Sequence, residues 1–353
     1  MSSTSQHHLA AFLATQNKLF LLVRKFFLIR TDLSDILEAE LSLEEQHLDE
    51  YQLKFSAEYP QDSSVSSTPP ISKSQKSLSQ VIDAENLAKF SSGLDHVGRV
   101  HNESCSAPGA AAWLTAVATF KNRVAPKLFQ VSLRFWLQLP MSSAAASSRP
   151  CPICCMPTDR MGRHALLCRR TNNVAHGFWH RHNRVRNLLA SLFREAGFTT
   201  RRKVSHLYQG PECRECAADV LVQNFKDGFS LVLDVGITNP LQEQFLGISQ
   251  CTRLDATLSY AAEKRKKYLN KRDKTEFIFK AAIWEVFGGV GDDADFVLRQ
   301  LTKHLHHERG QAFSVVYREL LQQIGVAIWI SNAKMILWGC SFCNPIFFSF
   351  FPL

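Results

Sequence analysis

Residues 229–238, FSLVLDVGIT, decide the fold of this chain. A Val/Leu run this dense is the pattern of a strand buried on both faces, yet it carries an acid, Asp234, near its end, and Pro240 stops it. Working outward, residues 217–223 form a second strand segment of the same kind with Asp219 inside it, and 199–205 a shorter third. Ahead of these, Val185, Leu188, Leu189, Leu192 and Phe193 recur at the spacing of an amphipathic helix over 183–195, closed by Gly197. Behind them, 254–269 reads as a helix and 276–287 as an apolar strand ended by Gly288 and Gly289. The order helix, three strands, helix, strand predicts an α+β sandwich (a mixed α/β core) rather than a doubly wound sheet. Two flanking helices, about 293–306 and 311–331, follow.

The rest of the chain sets the context. With 353 residues, 45% hydrophobic and 21% charged, it has the composition of a soluble globular protein able to bury one large core or two modest ones. A formal charge of +9 favours an anionic partner, nucleic acid first and acidic membrane second. Ten cysteines are dilute at this length and point to a reducing compartment with cysteine used for metal. Residues 1–57 read as a helical segment, 58–92 as a disordered Ser/Pro-rich linker, and 93–150 as a helical region, with one helical stretch from 110 to 139 broken in two at Pro126. Lys18, Arg24, Lys25 and Arg30 precede any acid, which leaves a mitochondrial targeting segment open beside an ordinary helix. The apolar tail, 335–353, is interrupted by Gly339, Asn344, Pro345 and Pro352, which argues against a membrane span, and it suits read-through or frameshifted sequence at least as well.

Cys151, Cys154, His164 and Cys168 form C-x2-C-x9-H-x3-C within a knuckle at 151–170. Two thiolates two residues apart share one ion, and His164 and Cys168 lie one helical turn apart, so the set describes a structural Zn²⁺ site. Cys155 is an alternative to Cys154; Cys213 with Cys216, and Cys340 with Cys343, lack a matching second half and read as non-ligands.

An acid inside a Val/Leu strand is costly to bury unless it is paired or bound to metal. Adjacent strands would bring Asp219 and Asp234 together, the requirement for holding a hard cation on a scissile phosphate. On the next helix, with Leu254, Leu258, Ala261, Ala262 and Leu269 as the buried stripe, Lys264 and Tyr268 fall on one flank able to reach the sheet. The bland reading pairs Asp219 with Arg214 or Lys203 and leaves the lysines solvated.

The runs CPIC, GRHALLC, RHNxVR, AADVLV, LVLDVGITNP and AAEKRKKY, together with AWLTA at 112–116, resemble the C-terminal region of early-branching, site-specific non-LTR retrotransposon proteins, across about residues 110–334. The resemblance implies a CCHC zinc knuckle ahead of a restriction-endonuclease-like, PD-(D/E)xK domain (171–290) that nicks target DNA. It implies Mg²⁺ or Mn²⁺ on Asp219 and Asp234, with Lys264 and Tyr268 completing the catalytic set through K-x-x-x-Y. Ala218 stands where the family often has Pro, and Gly236 occupies the usual lysine slot, as expected if the lysine has migrated to the helix. No stretch resembles a polymerase palm, so the resemblance implies a fragment, a decayed copy or a reused domain, working in the nucleus.

From Arg163 to Lys203 ten Lys/Arg residues face a single acid, Glu195, with aromatic residues Phe178 and Trp179 interleaved. This composition suits phosphate contacts to DNA, with RNA as the alternative, through Arg181, His182, Arg184, Arg186, Arg201 and Arg202, with Lys266 and Lys267 beside the acids.

Overall fold

The computed structural model describes residues 88–341 except 89, 120, 121, 142–149, 152, 169–176, 206, 208–217, 250, 251 and 270–276; the side chains of 248, 268, 269 and 339–341 also lie outside the description. The expected helical segment at 1–57, most of the 58–92 linker, the Cys213/Cys216 pair and the tail past 341 therefore fall outside the described residues. Residues 90–93 are helical, so helix begins inside the stretch read as linker.

The predicted order is present: a mixed α/β architecture around a four-stranded sheet. Strands β1 (Thr200–Val204), β2 (Ala218–Lys226), β3 (Phe229–Thr238) and β4 (Phe277–Glu285) lie in that spatial order. The first two pairings are antiparallel and β3/β4 is parallel. Between β2 and β3, Asp227 and Gly228 both take positive φ (52° and 81°), the backbone of a type I′ two-residue hairpin turn. A parallel neighbour requires a crossover, and α4 (Glu243–Ser249) with α5 (Asp255–Leu269) supplies it.

One sheet face packs on α3 (Phe178–Glu195), α6 (Asp292–Arg309) and the first half of α7 (Phe313–Ser341) through Val185, Leu189, Phe193, Leu233, Val235 and Trp284. The other face receives α5, with Ala261 against Ala281 and Ile283. A second core joins α1 (His96–Cys105), a 3-10 turn at Ala110–Thr115, α2 (Pro126–Trp136) and the second half of α7 around Trp113, Phe135, Phe287 and Trp329. α7 is thus a spine through both cores.

Three expectations need correction. The 110–139 stretch is not one helix broken at Pro126: a 3-10 turn comes first, and Pro126 occupies the first turn of α2, where its missing N–H leaves no bond unmade. The boundary at 334/335 is also wrong, because α7 runs to Ser341 and Met335 and Ile336 are core residues. A helix apolar all round is what burial on every side demands. It is long and apolar enough to cross a membrane, but 83% of its apolar window is buried inside the protein. Finally, α5 is rolled relative to the expected stripe: Ala256, Thr257 and Ala261 are buried, whereas Leu258 is 42% exposed and Ala262 faces solvent. Small residues let this helix lie close on the sheet.

Candidate functional site

The antiparallel register pairs Val220 with Leu233, and one step further sets Asp219 across from Asp234. Directly opposed residues project from the same face, with Cβ atoms roughly 5 Å apart. Since Leu233 and Val235 fill the large core, alternation turns Asp234 toward the α5 face, where the strand carries Gly236 next in line. On the parallel side, Asp234 pairs with Ala281 and Gly236 with Ile283.

Lys264 reaches this point from α5. Its Nζ lies 3.1 Å from both Asp234 carboxylate oxygens and 5.3 Å from the centre of the Tyr260 ring. Burial disfavours the ammonium, but Asp234, Tyr260 and Asp219 outweigh it and raise the Lys264 pKa, so it stays charged. A Cβ on Gly236 would sit 2.5 Å from Ile283 Cδ1 and 2.8 Å from Tyr260 Cε1. The position that could carry a strand lysine is therefore occupied by the helix that brings Lys264 instead. Tyr268 lies one turn further along α5, and its side chain is outside the described set.

Asp219 has other partners. Its Oδ2 accepts the Val235 amide at 2.9 Å and lies 3.0 Å from His182 Nε2, which is also 3.0 Å from the Val235 carbonyl. Both neighbours of Nε2 are acceptors, so that nitrogen carries the proton. Burial works against the carboxylate, but the bond and charge of His182, then the Val235 amide and Lys264, hold the Asp219 pKa below its ordinary value. The same pairing overcomes burial and raises that of His182. Expected on nucleic acid, His182 instead belongs to the acid site.

The knuckle forms a second site. Cys151, Cys154, His164 and Cys168 bring one ligand atom each within 4.8 Å of one another, the one such group of three or more among the described residues. Cys151 and Cys168 sulfurs are 4.0 Å apart and Cys154 Sγ lies 3.2 Å from His164 Nε2. A tetrahedral zinc with sulfur bonds near 2.3 Å needs edges of about 3.8 Å, so the set can hold a metal ion such as zinc. Cys155 is exposed, with φ 62°, which resolves the choice in favour of Cys154. The Asp159 carboxylate accepts the amides of Met161, Arg163 and His164 and shapes the loop that presents the histidine. Leu166 enters the second core, and the Asn239 amide donates to its carbonyl at 3.0 Å, tying the knuckle to the end of β3.

The basic residues divide. Arg184, Arg201, Arg202, Lys266 and Lys267 are exposed. Arg186 is largely covered and donates to Asn187 Oδ1, which also accepts from Arg202. Arg181 is 3% exposed; its guanidinium donates to Asn332 Oδ1 at 2.8 Å and lies 5.3 Å from the Phe178 ring. Burial lowers its pKa to about 9. It is an internal cation that docks α3 on α7, not a nucleic-acid contact, because no solvent-facing surface remains to it.

Sequence reasoning passed over two polar groups of the second core. Glu285, at the end of β4, is buried and its pKa is pushed up to about 8 by burial, against a Ser104 hydrogen bond. His101 lies tilted against Phe135 and edge-on to Phe287, and burial drops its pKa to about 3. Neither residue type at such a position gives a sequence signal.

Fold and sites together define an α+β protein with a Cys3His metal-ligand cluster and a two-acid, one-lysine, one-histidine constellation at the junction of β2, β3 and α5. No family model matches the chain, and no curated protein matches it.

Proposed function

We propose that the chain contains a DNA-binding, metal-dependent endonuclease-like domain of the PD-(D/E)xK type, from a retrotransposon-derived protein, that nicks target DNA by phosphodiester hydrolysis in the nucleus. The observation that carries this reading is the convergence of Asp219, Asp234 and Lys264 from two paired strands and the crossover helix. Asp219 and Asp234 would hold Mg²⁺ or Mn²⁺, which supplies charge to polarise the phosphoryl group and acidify a water. Lys264 keeps its charge beside them and balances negative charge growing on the phosphate oxygens. His182 and the Val235 amide fix the Asp219 carboxylate. The resemblance, through K-x-x-x-Y, gives Tyr268 the role of positioning phosphate. Zn²⁺ in the Cys3His cluster would be structural, and Arg184, Arg201, Arg202, Lys266 and Lys267 would contact the backbone of DNA, with RNA as the second candidate.

A second reading, a catalytically inactive nucleic-acid-binding remnant of the same fold, is favoured by one feature. Both carboxylates are already engaged, one by His182 and one by Lys264, and among the described residues no three ligand atoms at this site lie mutually within 4.8 Å. Relaxation of a supercoiled plasmid in Mg²⁺ or Mn²⁺ separates the two. Nicking by wild type that is lost in Asp234→Ala and Lys264→Ala supports the enzyme; DNA binding without nicking at any metal concentration leaves the remnant.

A further inference from the structure

Between α3 and α7 lies a cleft of about 520 Å³, walled by Trp179, Asn183, Arg184, Arg186, Asn187 and Lys334. No Asp or Glu lines it, so three cations converge without an acid in the walls. Lys334 is lowered in pKa by burial and then by Arg184, which marks two like charges held together in partly desolvated surroundings. That arrangement is stabilised by an anion entering between them.

At the rim, Trp179 is 52% exposed, an uncommon state for an indole. Lys203 Nζ stands 5.1 Å from the ring centre and His180 meets it edge-on at 87°. The indole is therefore braced by its neighbours while half its surface stays open. Deeper in the wall, Asn183 is buried and its Oδ1 has no hydrogen-bond partner. A buried amide oxygen without a partner is costly unless a ligand or water supplies one. The cleft has the volume of a small-ligand pocket, whereas a duplex some 20 Å across cannot enter it.

We infer that this cleft binds one unpaired nucleotide of a single-stranded nucleic acid: the base stacks on Trp179, its edge meets the Asn183 amide, and its phosphate lies between Arg184 and Lys334. Arg186 connects the two sites, since its charge also acts on Asp219. The inference rests on the nucleic-acid-binding reading above, but not on cleavage.

The test is fluorescence anisotropy with end-labelled oligomers of about 15 nucleotides: oligo-dT, oligo-rU and a blunt DNA duplex of the same length. The single strands are expected to bind at least about tenfold tighter than the duplex, and whichever of dT and rU binds tighter identifies the sugar. Trp179→Ala should weaken single-strand binding roughly tenfold, while Trp179→Phe retains most of it. Arg184→Gln and Lys334→Gln should each reduce the slope of log affinity against log salt by about one. The exposed position of Trp179 keeps the variants folded, which unchanged thermal unfolding would verify. Equal affinity for duplex and single strand, or a Trp179→Ala protein that binds oligo-dT and oligo-rU as wild type does, overturns the inference. Nicking is scored separately. A chain that never nicks but binds single strands through Trp179 loses the nuclease reading and keeps this one.

Discussion

The Lys264 ammonium bridges both oxygens of the Asp234 carboxylate at 3.1 Å, and it arrives from a helix rather than from the strand that bears the acid. What makes room for that helix is Gly236, two residues beyond Asp234 on the same face of β3, against which the Tyr260 ring lies. The acid, the glycine and the lysine are therefore one arrangement, and each position is explained by the other two.

Gly236→Ala tests that arrangement. The added methyl would overlap the tip of the Ile283 side chain and the Tyr260 ring, so these side chains, or α5 with Tyr260, must shift. The expected cost is about 1–3 kcal/mol in urea unfolding, together with loss of any metal-dependent nicking. An unchanged midpoint would show that Tyr260 yields without moving Lys264. Tyr260→Ala combined with Gly236→Ala should recover part of the stability, since the larger of the two clashing partners has been removed.

Much of this was legible in the sequence. The Val/Leu runs around Asp219 and Asp234 announced strands, and the cysteine spacing announced the metal cluster, because both depend on local pattern. The roll of α5 was not legible: its buried residues are Ala256, Thr257 and Ala261, while the larger Leu258 is left outside, so apolar size pointed the wrong way. The extension of α7 past Ser331 was hidden for the opposite reason, since a helix buried all round has no polar face to set its period. Arg181 and His182 sit in a run of exposed-looking charge, and only the tertiary fold reveals Asn332 beside one and Asp219 beside the other. The Asp227–Gly228 pair, a strong hairpin cue, would have fixed the β2/β3 pairing and with it the opposition of the two acids.

Metal in the Cys3His cluster should be measurable as one zinc per chain by elemental analysis. Because Leu166 and the Asn239 bond connect the knuckle to the second core, chelation or Cys168→Ser is expected to lower the thermal midpoint by more than about 5 °C. Cys155→Ser should change neither zinc content nor midpoint, as that thiol is exposed and outside the cluster. Substoichiometric metal in wild type, or a melting curve indifferent to chelator, would count against the site.

Arg181 and Arg184 should behave as opposites although only two residues separate them. Arg181→Ala removes the bond to Asn332 inside the protein and is expected to destabilise it by roughly 2–4 kcal/mol, with little effect on the salt dependence of DNA binding by the remaining folded fraction. Arg184→Ala should leave stability within about 0.5 kcal/mol and weaken DNA binding instead. Arg181→Met, which fills the same space without a charge to desolvate, should cost less than Arg181→Ala. Equal effects of the two alanine variants on DNA affinity would remove the distinction between internal and surface arginines.

Glu285 and His101 give the second core a dependence on pH that has opposite signs on the two sides of neutrality. Glu285 titrates near 8 in the folded chain and near its ordinary 4.5 when unfolded, so between those values the folded state holds a proton the unfolded state releases. Its contribution is therefore complete below pH 4.5 and is lost as pH rises toward 8. His101 titrates near 3 when folded and near 6.5 when unfolded, so acid below 6.5 protonates the unfolded chain first and lowers stability. Only above pH 6.5 does the glutamate act without the histidine. Urea unfolding between pH 6.5 and 8 should show wild-type stability falling with pH, by at most about 1.4 kcal/mol per unit, and a flatter profile in Glu285→Gln. A Gln variant that keeps the full wild-type slope would mean that Glu285 is ionised in place.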